Sequence, residues 1–221
     1  MTDVAIVPYE KHYREVVRRC VFETGYGGAN VAPFFTDREL FADLLTLYYT
    51  DYEPGHALIG VVDGEPAGYL LGCADTERYN AVMKKNVYPL IVRRLLRGEY
   101  QIDGLTLQYL VRGIRLLLHG AEVTPPAGQY PAHLHIDLFE PYRRFGLGTR
   151  LMRVWMDALR AMGSPGLHLG TSSVHTQSQP FYEKLGFRRY AVRRYPVSFF
   201  WERDQRDFYG IWYVMDLRPG P

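Results

Sequence analysis

The 221-residue chain is 47% hydrophobic and 23% charged, and its 26 Lys and Arg residues against 24 Asp and Glu residues give a net charge of +2. This composition is ordinary for a globular protein with a sizeable core, and it excludes a disordered, fibrous or collagen-like chain. So small a net charge gives little electrostatic attraction to the phosphate backbone of nucleic acid, and no nucleic-acid partner is expected. No stretch approaches the ~20 apolar residues that span a bilayer, so no membrane association is expected.

The two cysteines, Cys20 and Cys73, are far apart in the sequence and form neither a CxxC motif nor a disulfide framework. We expect them to be buried, in a protein from a reducing compartment. The N-terminus has no cationic start followed by an apolar run, so no secretory signal is predicted. These features predict a cytoplasmic protein, folded as one domain over residues 1–221.

The first third of the chain predicts a strand, two helices and a hairpin. A β-branched run at residues 4–7 is followed by apolar residues at helical spacing up to a group of glycines. Thr36 with Glu39 three residues later has the pattern of a capping box, which predicts a second helix with Thr36 as its N-cap. Two apolar runs within residues 56–73 flank Asp63-Gly64, a strong hairpin signal.

Residues 76–120 differ in character because they are rich in Arg and carry apolar residues at helical spacing. The common meaning of this pattern is a helical insertion that covers the main sheet, with its arginines in solvent. The alternative is a basic amphipathic helix that lies on a membrane or on a partner.

The most regular segment is residues 132–138, which alternate strictly, as a strand requires. One face carries Leu134, Ile136 and Leu138, and the other carries His133, His135 and Asp137. A glycine-bearing loop follows, then a helix with one apolar face from Leu147 to Met162, then a short buried strand at residues 167–170. The segment predicts a strand, turn, helix and strand in succession.

The turn between that strand and the helix reads Arg143-Arg144-Phe145-Gly146-Leu147-Gly148-Thr149. Glycines let the backbone approach a ligand closely, and the first N–H groups of a helix carry partial positive charge. The pattern indicates a phosphate or pyrophosphate site to which an arginine and the Thr149 hydroxyl contribute. The motifs of nucleoside triphosphate and nicotinamide sites are absent, which leaves another phosphate-bearing cofactor. The alternative is that the glycines only permit tight helix packing.

Arg143-x-x-Gly146-x-Gly148 after an alternating strand, followed by Phe181-Tyr182-Glu183-Lys184-Leu185-Gly186-Phe187, resembles the acetyl-CoA site and second motif of the GNAT superfamily of N-acetyltransferases. The resemblance implies an α/β fold, with a central mixed sheet flanked by helices and a helical insertion near residues 76–120. It also implies acetyl transfer from acetyl-CoA to an unidentified small-molecule or peptide amine by direct attack in a ternary complex.

Within the superfamily, residues 131–138 and 164–170 are similar to the stand-alone bacterial relatives of the acetyltransferase-like domain of animal O-GlcNAcase. That animal domain is thought to lack the activity its fold suggests. The alternative function is therefore a catalytically silent module that binds a ligand or a partner protein.

The resemblance also implies how the cofactor is held. Backbone N–H groups from Arg143 to Thr149 would bind the pyrophosphate, and the residues involved would be Arg143, Arg144, Gly146, Gly148 and Thr149. The pantetheine arm would enter a splay between the two parallel strands. There the Leu138 amide would stabilise the thioester oxyanion, and Tyr182 would protonate the departing thiolate. An alternative for Tyr182 is an aromatic side chain packed at a helix end, with its hydroxyl satisfied locally.

An ammonium cannot attack until it loses a proton, and His135 and Asp137 are the candidates for accepting that proton and holding the amine. Alternatively, His133, His135 and Asp137 form a two-His-one-carboxylate set for iron or zinc, or the histidines are hydrogen-bonded along the sheet. In place of the family's frequent Asn and Ala, the second motif has His175 and Ser178, so weaker cofactor contacts are expected there. A C-terminal hairpin would border the acceptor pocket or a homodimer interface, with Phe199, Phe200, Trp201 and Tyr209 as candidate lining residues.

Overall fold

The computed structural model describes residues 2–118, 120, 123–195 and 208–218. The strands in these residues are β1 (Val4–Pro8), β2 (Ala57–Val62), β3 (Glu65–Cys73), β4 (Ala132–Leu138), β5 (Gly166–Ser172), β6 (Arg188–Arg194) and β7 (Tyr209–Asp216). The helices are α1 (Arg14–Thr24), α2 (Arg38–Asp51), α3 (Thr76–Val82), α4 (Tyr88–Leu96), α5 (Gly104–Leu118), α6 (Leu147–Ala161) and α7 (Ser178–Lys184). None of the described helices is long and apolar enough to cross a membrane.

The strands form one mixed sheet in the order β1-β2-β3-β4-β5-β7-β6, which confirms the expected α/β fold. Every neighbouring pair is antiparallel except β4 and β5. The parallel pairing of β4 with β5 is limited to Ala132 opposite Leu167 and His133 opposite His168. Beyond these two positions the strands diverge, and the divergence opens a seam inside the sheet.

Helices cover both faces of the sheet. On one face, α1 and α2 bury Val17, Cys20 and Phe41 in a cluster that includes Tyr69 and Leu71 of β3. On the other face, α6 buries Leu147, Leu151 and Trp155 together with Leu70, Leu134 and Tyr213. The opposite placement of Tyr69 and Leu70 follows from the two-residue period of a strand.

The hairpin between β2 and β3 is confirmed. Asp63 and Gly64 both have positive φ, 49° and 85°, as a two-residue hairpin turn requires. The capping box is wrong by one residue, because Asp37 is the N-cap of α2 and its Oδ1 accepts from the Leu40 N–H at 2.7 Å. A carboxylate is the stronger acceptor, and the Thr36 hydroxyl is 3.0 Å from that of Thr106 instead.

The insertion is helical, as predicted: α3, a π-helical turn at Met83–Val87, α4 and α5. It packs against α2, and Met83, Val87 and Ile91 enter the α1–α2 core. The expectation of solvated arginines is wrong for Arg94, which pairs with the buried Asp43 of α2. The alternative, a surface for a membrane or a partner, stays a prediction, and α4 and α5 carry exposed apolar side chains such as Leu96.

Asp43 stays ionised although it is fully buried. Burial pushes its pKa up, but hydrogen bonds from Tyr100, Arg18 and Arg94 outweigh that effect, so the pKa lies below its ordinary value. The Tyr100 hydroxyl donates at 2.5 Å, and an Arg18 Nη donates at 2.7 Å. This network attaches the insertion to α1 and α2.

Candidate active site

A cleft of about 460 Å³ opens where β4 and β5 diverge. It is lined by both faces of β4, by the glycine turn (residues 143–149), by the segment from β5 to α7, and by Gly27 and Gly28 between α1 and α2. Because the cleft passes through the sheet, residues from both faces of β4 meet in it.

Main-chain groups of β4 face the cleft. The Phe139 N–H donates to the Ala67 carbonyl at 3.0 Å, and Leu138 lies opposite Gly68 in the ladder with β3. In an antiparallel ladder, alternate residues turn their N–H and C=O groups toward the partner strand and the others turn them away. The backbone of Leu138 and Ile136 therefore points toward the seam, where β5 has moved out of pairing range.

The glycine turn ends in an open helix N-terminus. Gly146 is the N-cap of α6 with φ +74°, a left-handed conformation that favours glycine, and a Cβ built there meets no atom within 4 Å. The first helical bond runs from the Arg150 N–H to the Gly146 carbonyl at 3.1 Å. The N–H groups of residues 147–149 therefore have no partner inside the helix and form an anion site.

Tight packing requires a glycine neither at position 146 nor at position 148. A Cβ at Gly148 would lie 3.4 Å from the Phe181 ring and 3.6 Å from the Leu138 side chain. These are ordinary van der Waals distances, so a methyl group would fit at position 148, whereas the positive φ of Gly146 favours glycine.

Arg143 lines the cleft and has acceptors within the protein, and its predicted contact with the pyrophosphate stays a prediction. Its backbone N–H donates to the Glu140 carbonyl at 3.2 Å. Its guanidinium donates through Nε to the Leu138 carbonyl at 3.0 Å and through an Nη to the Gly28 carbonyl at 2.7 Å. Through these two hydrogen bonds Arg143 connects Gly28 to the end of β4.

Tyr182 lies on α7 at the wall of the cleft. Its ring packs against those of Phe187 and Tyr213, with centroids 5.8 Å apart in each case. Among the described residues, no hydrogen-bond partner of its hydroxyl is found, which disfavours the locally satisfied alternative. Burial, and then the negative charge of Asp137, raise the pKa of Tyr182, so it keeps its proton at neutral pH.

His135 and Asp137 both line the cleft and share one neighbour, Tyr69 of β3. The Tyr69 hydroxyl donates to Asp137 Oδ2 at 2.7 Å and lies 3.0 Å from His135 Nδ1. His135 Nδ1 and Asp137 Oδ2 are 3.4 Å apart. The Tyr69 and His135 rings are stacked, with an interplanar angle of 16°. The three side chains form one polar cluster on the α1–α2 face of the cleft.

His133 belongs to a different environment, so the metal alternative lacks its third ligand. Its Nδ1 is 2.7 Å from the Thr76 hydroxyl and its Nε2 is 2.9 Å from the Tyr49 hydroxyl, which occupies both ring nitrogens. Burial lowers the pKa of His133 to about 3. In the part of the chain that the structure describes, no group of three or more His, Cys, Asp and Glu side chains is placed to hold a metal ion.

His175 and Ser178, where the second motif differs from the family pattern, lie in a turn held by local hydrogen bonds. The His175 N–H donates to the Ser172 carbonyl at 3.0 Å, and the Ser178 hydroxyl donates to the His175 carbonyl at 2.8 Å. His175 lines the cleft, and burial lowers the pKa of its imidazole, so the ring is neutral. Pro180 lies in the first turn of α7, where it is tolerated.

Sequence reasoning missed Tyr69 and the Gly27 and Gly28 turn. Tyr69 reaches the site through its register opposite Asp137, and no local signal in β3 reveals that register. The glycines of the turn were visible, but their contact with Arg143 required the tertiary fold. Of the aromatic residues predicted to line an acceptor pocket, Phe199, Phe200 and Trp201 lie outside the described residues, and Tyr209 begins β7 without lining the cleft.

Comparison with known proteins agrees with this geometry. Residues 119–187 match the family model described as the acetyltransferase (GNAT) family. The crystal structure of SsHAT is similar over 98% of this chain and 100% of its own, with 27% identity and a TM-score of 0.74.

Two further structures share the fold at 13% identity. Polyamine N-acetyltransferase from Drosophila melanogaster has a TM-score of 0.59, over 97% of this chain and 100% of its own. The structure of yncA from Salmonella typhimurium with its cofactor acetyl-CoA has a TM-score of 0.57, over 98% of this chain and 95% of its own. The family match over residues 119–187 and the similarity to SsHAT along the whole chain support membership of the GNAT superfamily and an acyltransferase activity. The narrower resemblance to O-GlcNAcase relatives stays a prediction.

Proposed function

We propose that the protein transfers the acetyl group of acetyl-CoA directly to an amine held in the same cleft. The observation that carries this proposal is the convergence on one cleft of outward-facing β4 backbone, an open helix N-terminus and a protonated tyrosine. The neighbour determined with acetyl-CoA shares the overall fold, which supports the choice of acetyl donor.

The residues present fit an extended, phosphate-bearing cosubstrate. The N–H groups of residues 147–149, with the left-handed backbone at Arg144 and Gly146, would hold the pyrophosphate, and the Thr149 hydroxyl would add a donor. The backbone of Ile136 would pair with the pantetheine arm, because β5 leaves that side of β4 open, and the Leu138 N–H stays available for the thioester carbonyl. Bound acetyl-CoA supplies the reactive acetyl thioester.

The chain's own groups would then act on the two protons of the reaction. His135, beside Asp137, takes one proton from the incoming ammonium, so that the neutral amine can form its bond to the carbonyl carbon. The Leu138 N–H donates to the carbonyl oxygen as negative charge develops there. Tyr182 donates its proton to the sulfur as the carbon–sulfur bond breaks, and the second proton of the new amide nitrogen restores the tyrosine hydroxyl.

Direct transfer is favoured over an acetylated protein intermediate. Cys20 and Cys73 are both free and fully buried, and burial raises the pKa of each thiol. No cysteine occurs among the described residues that line the cleft. A ternary complex therefore needs no nucleophile from the protein.

We also propose a cellular location, a domain organisation and an acceptor class for the protein. Free buried thiols fit a reducing compartment, and we place the protein in the cytoplasm. One sheet uses strands from Val4 to Asp216, which supports a single domain over residues 1–221. The acceptor is a small-molecule or peptide amine, and a homodimer stays a prediction.

The test is a calorimetric titration with acetyl-CoA, followed by a screen of amines for release of coenzyme A thiol. Acetyl-pantetheine, which has no pyrophosphate, is the matched ligand. We expect acetyl-CoA to bind at least ~10-fold more tightly, because only acetyl-CoA engages the helix N-terminus. Equal affinities would contradict the pyrophosphate assignment. Tight binding without thiol release on small amines and lysine peptides alike would favour the silent module.

A further inference from the structure

Tyr69 occupies a position that no part of the proposed reaction has yet used. Its side chain is fully buried in the α1–α2 core, but its hydroxyl reaches the cleft wall between Asp137 and His135. Cross-strand pairing places Tyr69 directly opposite Asp137, so the contact is built into the register of β3 and β4.

The hydrogen-bond donors in this cluster can be assigned by elimination. An ionised Asp137 only accepts, so the single proton of the Tyr69 hydroxyl is directed to Asp137 Oδ2. The same hydroxyl oxygen then accepts from His135, which requires the imidazole proton to be on Nδ1. In the neutral ring, Nε2 consequently carries a lone pair, and it has no hydrogen-bond partner among the described residues.

We propose that Tyr69 is a positioning residue that fixes His135 in the Nδ1–H tautomer, so that Nε2 faces the cleft as the proton acceptor for the amine. The inference rests on the proposed function. The step balances, because Nε2 gains the proton that the ammonium loses and Nδ1 keeps its own. Tyr69 itself exchanges no proton, and burial, followed by the Asp137 charge, raises its pKa well above the ordinary value.

Other titratable groups surround the cluster. They are Cys20 from α1, Tyr49 from α2, His133 from β4, Arg143 from the glycine turn, and His175 and Tyr182 from the segment after β5. Near neutral pH the cysteine and the tyrosines are protonated and His133 and His175 are neutral, because burial shifts each of these pKa values in that direction. Asp137 and Arg143 are then the fixed charges that face His135.

The first measurement is independent of catalysis. Nitrogen-15 NMR of the histidine rings distinguishes the two tautomers, and the His135→Gln variant assigns the signal. We expect the Nδ1–H form in the wild-type protein and a mixture of tautomers in Tyr69→Phe. Tyr49→Phe is the matched control, because it removes a buried hydroxyl from His133 two residues earlier on the same strand. It should alter the His133 signal alone.

The second measurement is the pH dependence of kcat/KM. Without the Tyr69 hydroxyl, the Asp137 carboxylate loses a hydrogen-bond donor, and its charge, 3.4 Å from His135 Nδ1, stabilises the imidazolium more strongly. The acidic limb in Tyr69→Phe should therefore move to higher pH by ~0.5 unit or more, whereas Tyr49→Phe leaves it in place. A purely structural role for Tyr69 would lower the rate without moving the limb.

The outcomes separate the two proposals. An Nε2–H tautomer in the wild-type protein, or an unchanged tautomer and limb in Tyr69→Phe, would overturn the positioning role while acetyl transfer stands. A protein with the expected tautomer and no thiol release with any amine would retain the geometry and contradict the proposed function.

Discussion

Replacing Gly146 by alanine tests the anion site, because Gly163 provides a matched control. The two glycines have φ of +74° and +73°, and a Cβ built at either one meets no atom within 4 Å. Each Gly→Ala change should therefore carry the same strain of about 1–2 kcal/mol for a left-handed alanine. A domain with about 5–15 kcal/mol of stability tolerates that loss. Gly146 lines the cleft, and Gly163 is absent from its described lining.

The two variants should consequently unfold at similar temperatures and differ in ligand binding. The methyl group at position 146 enters the space through which the backbone must approach a phosphate, so the Kd for acetyl-CoA should rise at least ~10-fold, or about 1.4 kcal/mol. Gly163→Ala should keep the wild-type Kd, and Gly146→Val should remove binding altogether. Thermal unfolding and titration calorimetry give both quantities. A wild-type Kd in Gly146→Ala, with matched unfolding temperatures, would refute the pyrophosphate assignment.

Four further results are expected. Tyr182→Phe should lower kcat by ~10²–10⁴-fold with little change in acetyl-CoA affinity, and a fall below about threefold would argue against a general acid. Asp137→Asn should raise KM for the amine in steady-state assays and leave calorimetric acetyl-CoA binding unchanged. Asp43→Asn should cost about 3–5 kcal/mol in urea unfolding, since it leaves two arginines without their buried partner. The pKa of His133 is about 3 in the folded protein and ~6.5 in the unfolded chain. As the pH falls below ~6.5, only the unfolded chain binds this proton, so the free energy of unfolding decreases. Between pH 7 and 5 the wild-type protein should therefore lose about 2 kcal/mol more than His133→Gln.

The elements with strong local patterns were predictable from the sequence. The alternation from His133 to Leu138 gave β4 and its two faces, and the positive φ values of Asp63 and Gly64 were implied by their residue types. The position of Gly146 before an amphipathic run likewise indicated an open helix N-terminus. In each case the chemistry and the structure lie within a few consecutive residues.

The errors concern contacts between distant segments. The hydrogen bond from Arg143 to the Gly28 carbonyl was not foreseen, because Gly28 is 115 residues away in the chain. Arg94 was expected to lie in solvent, but it donates a hydrogen bond to Asp43 of another helix. A pattern along the chain specifies which face a residue occupies, but the partner on that face depends on strand register and helix packing.

The seam between β4 and β5 also bears on aggregation. Unpaired backbone groups at the edge of a sheet are a template for pairing with another protein chain. Here the unpaired groups of β4 lie inside the sheet, and the turn at Gly27 and Gly28 contacts the segments that follow both strands, through Arg143 on one side and Val174 on the other. An incoming β-strand would have to bring its side chains past this turn, whereas a slender unbranched ligand would not. The protein can therefore keep a hydrogen-bonding edge open for a ligand while denying it to a second chain.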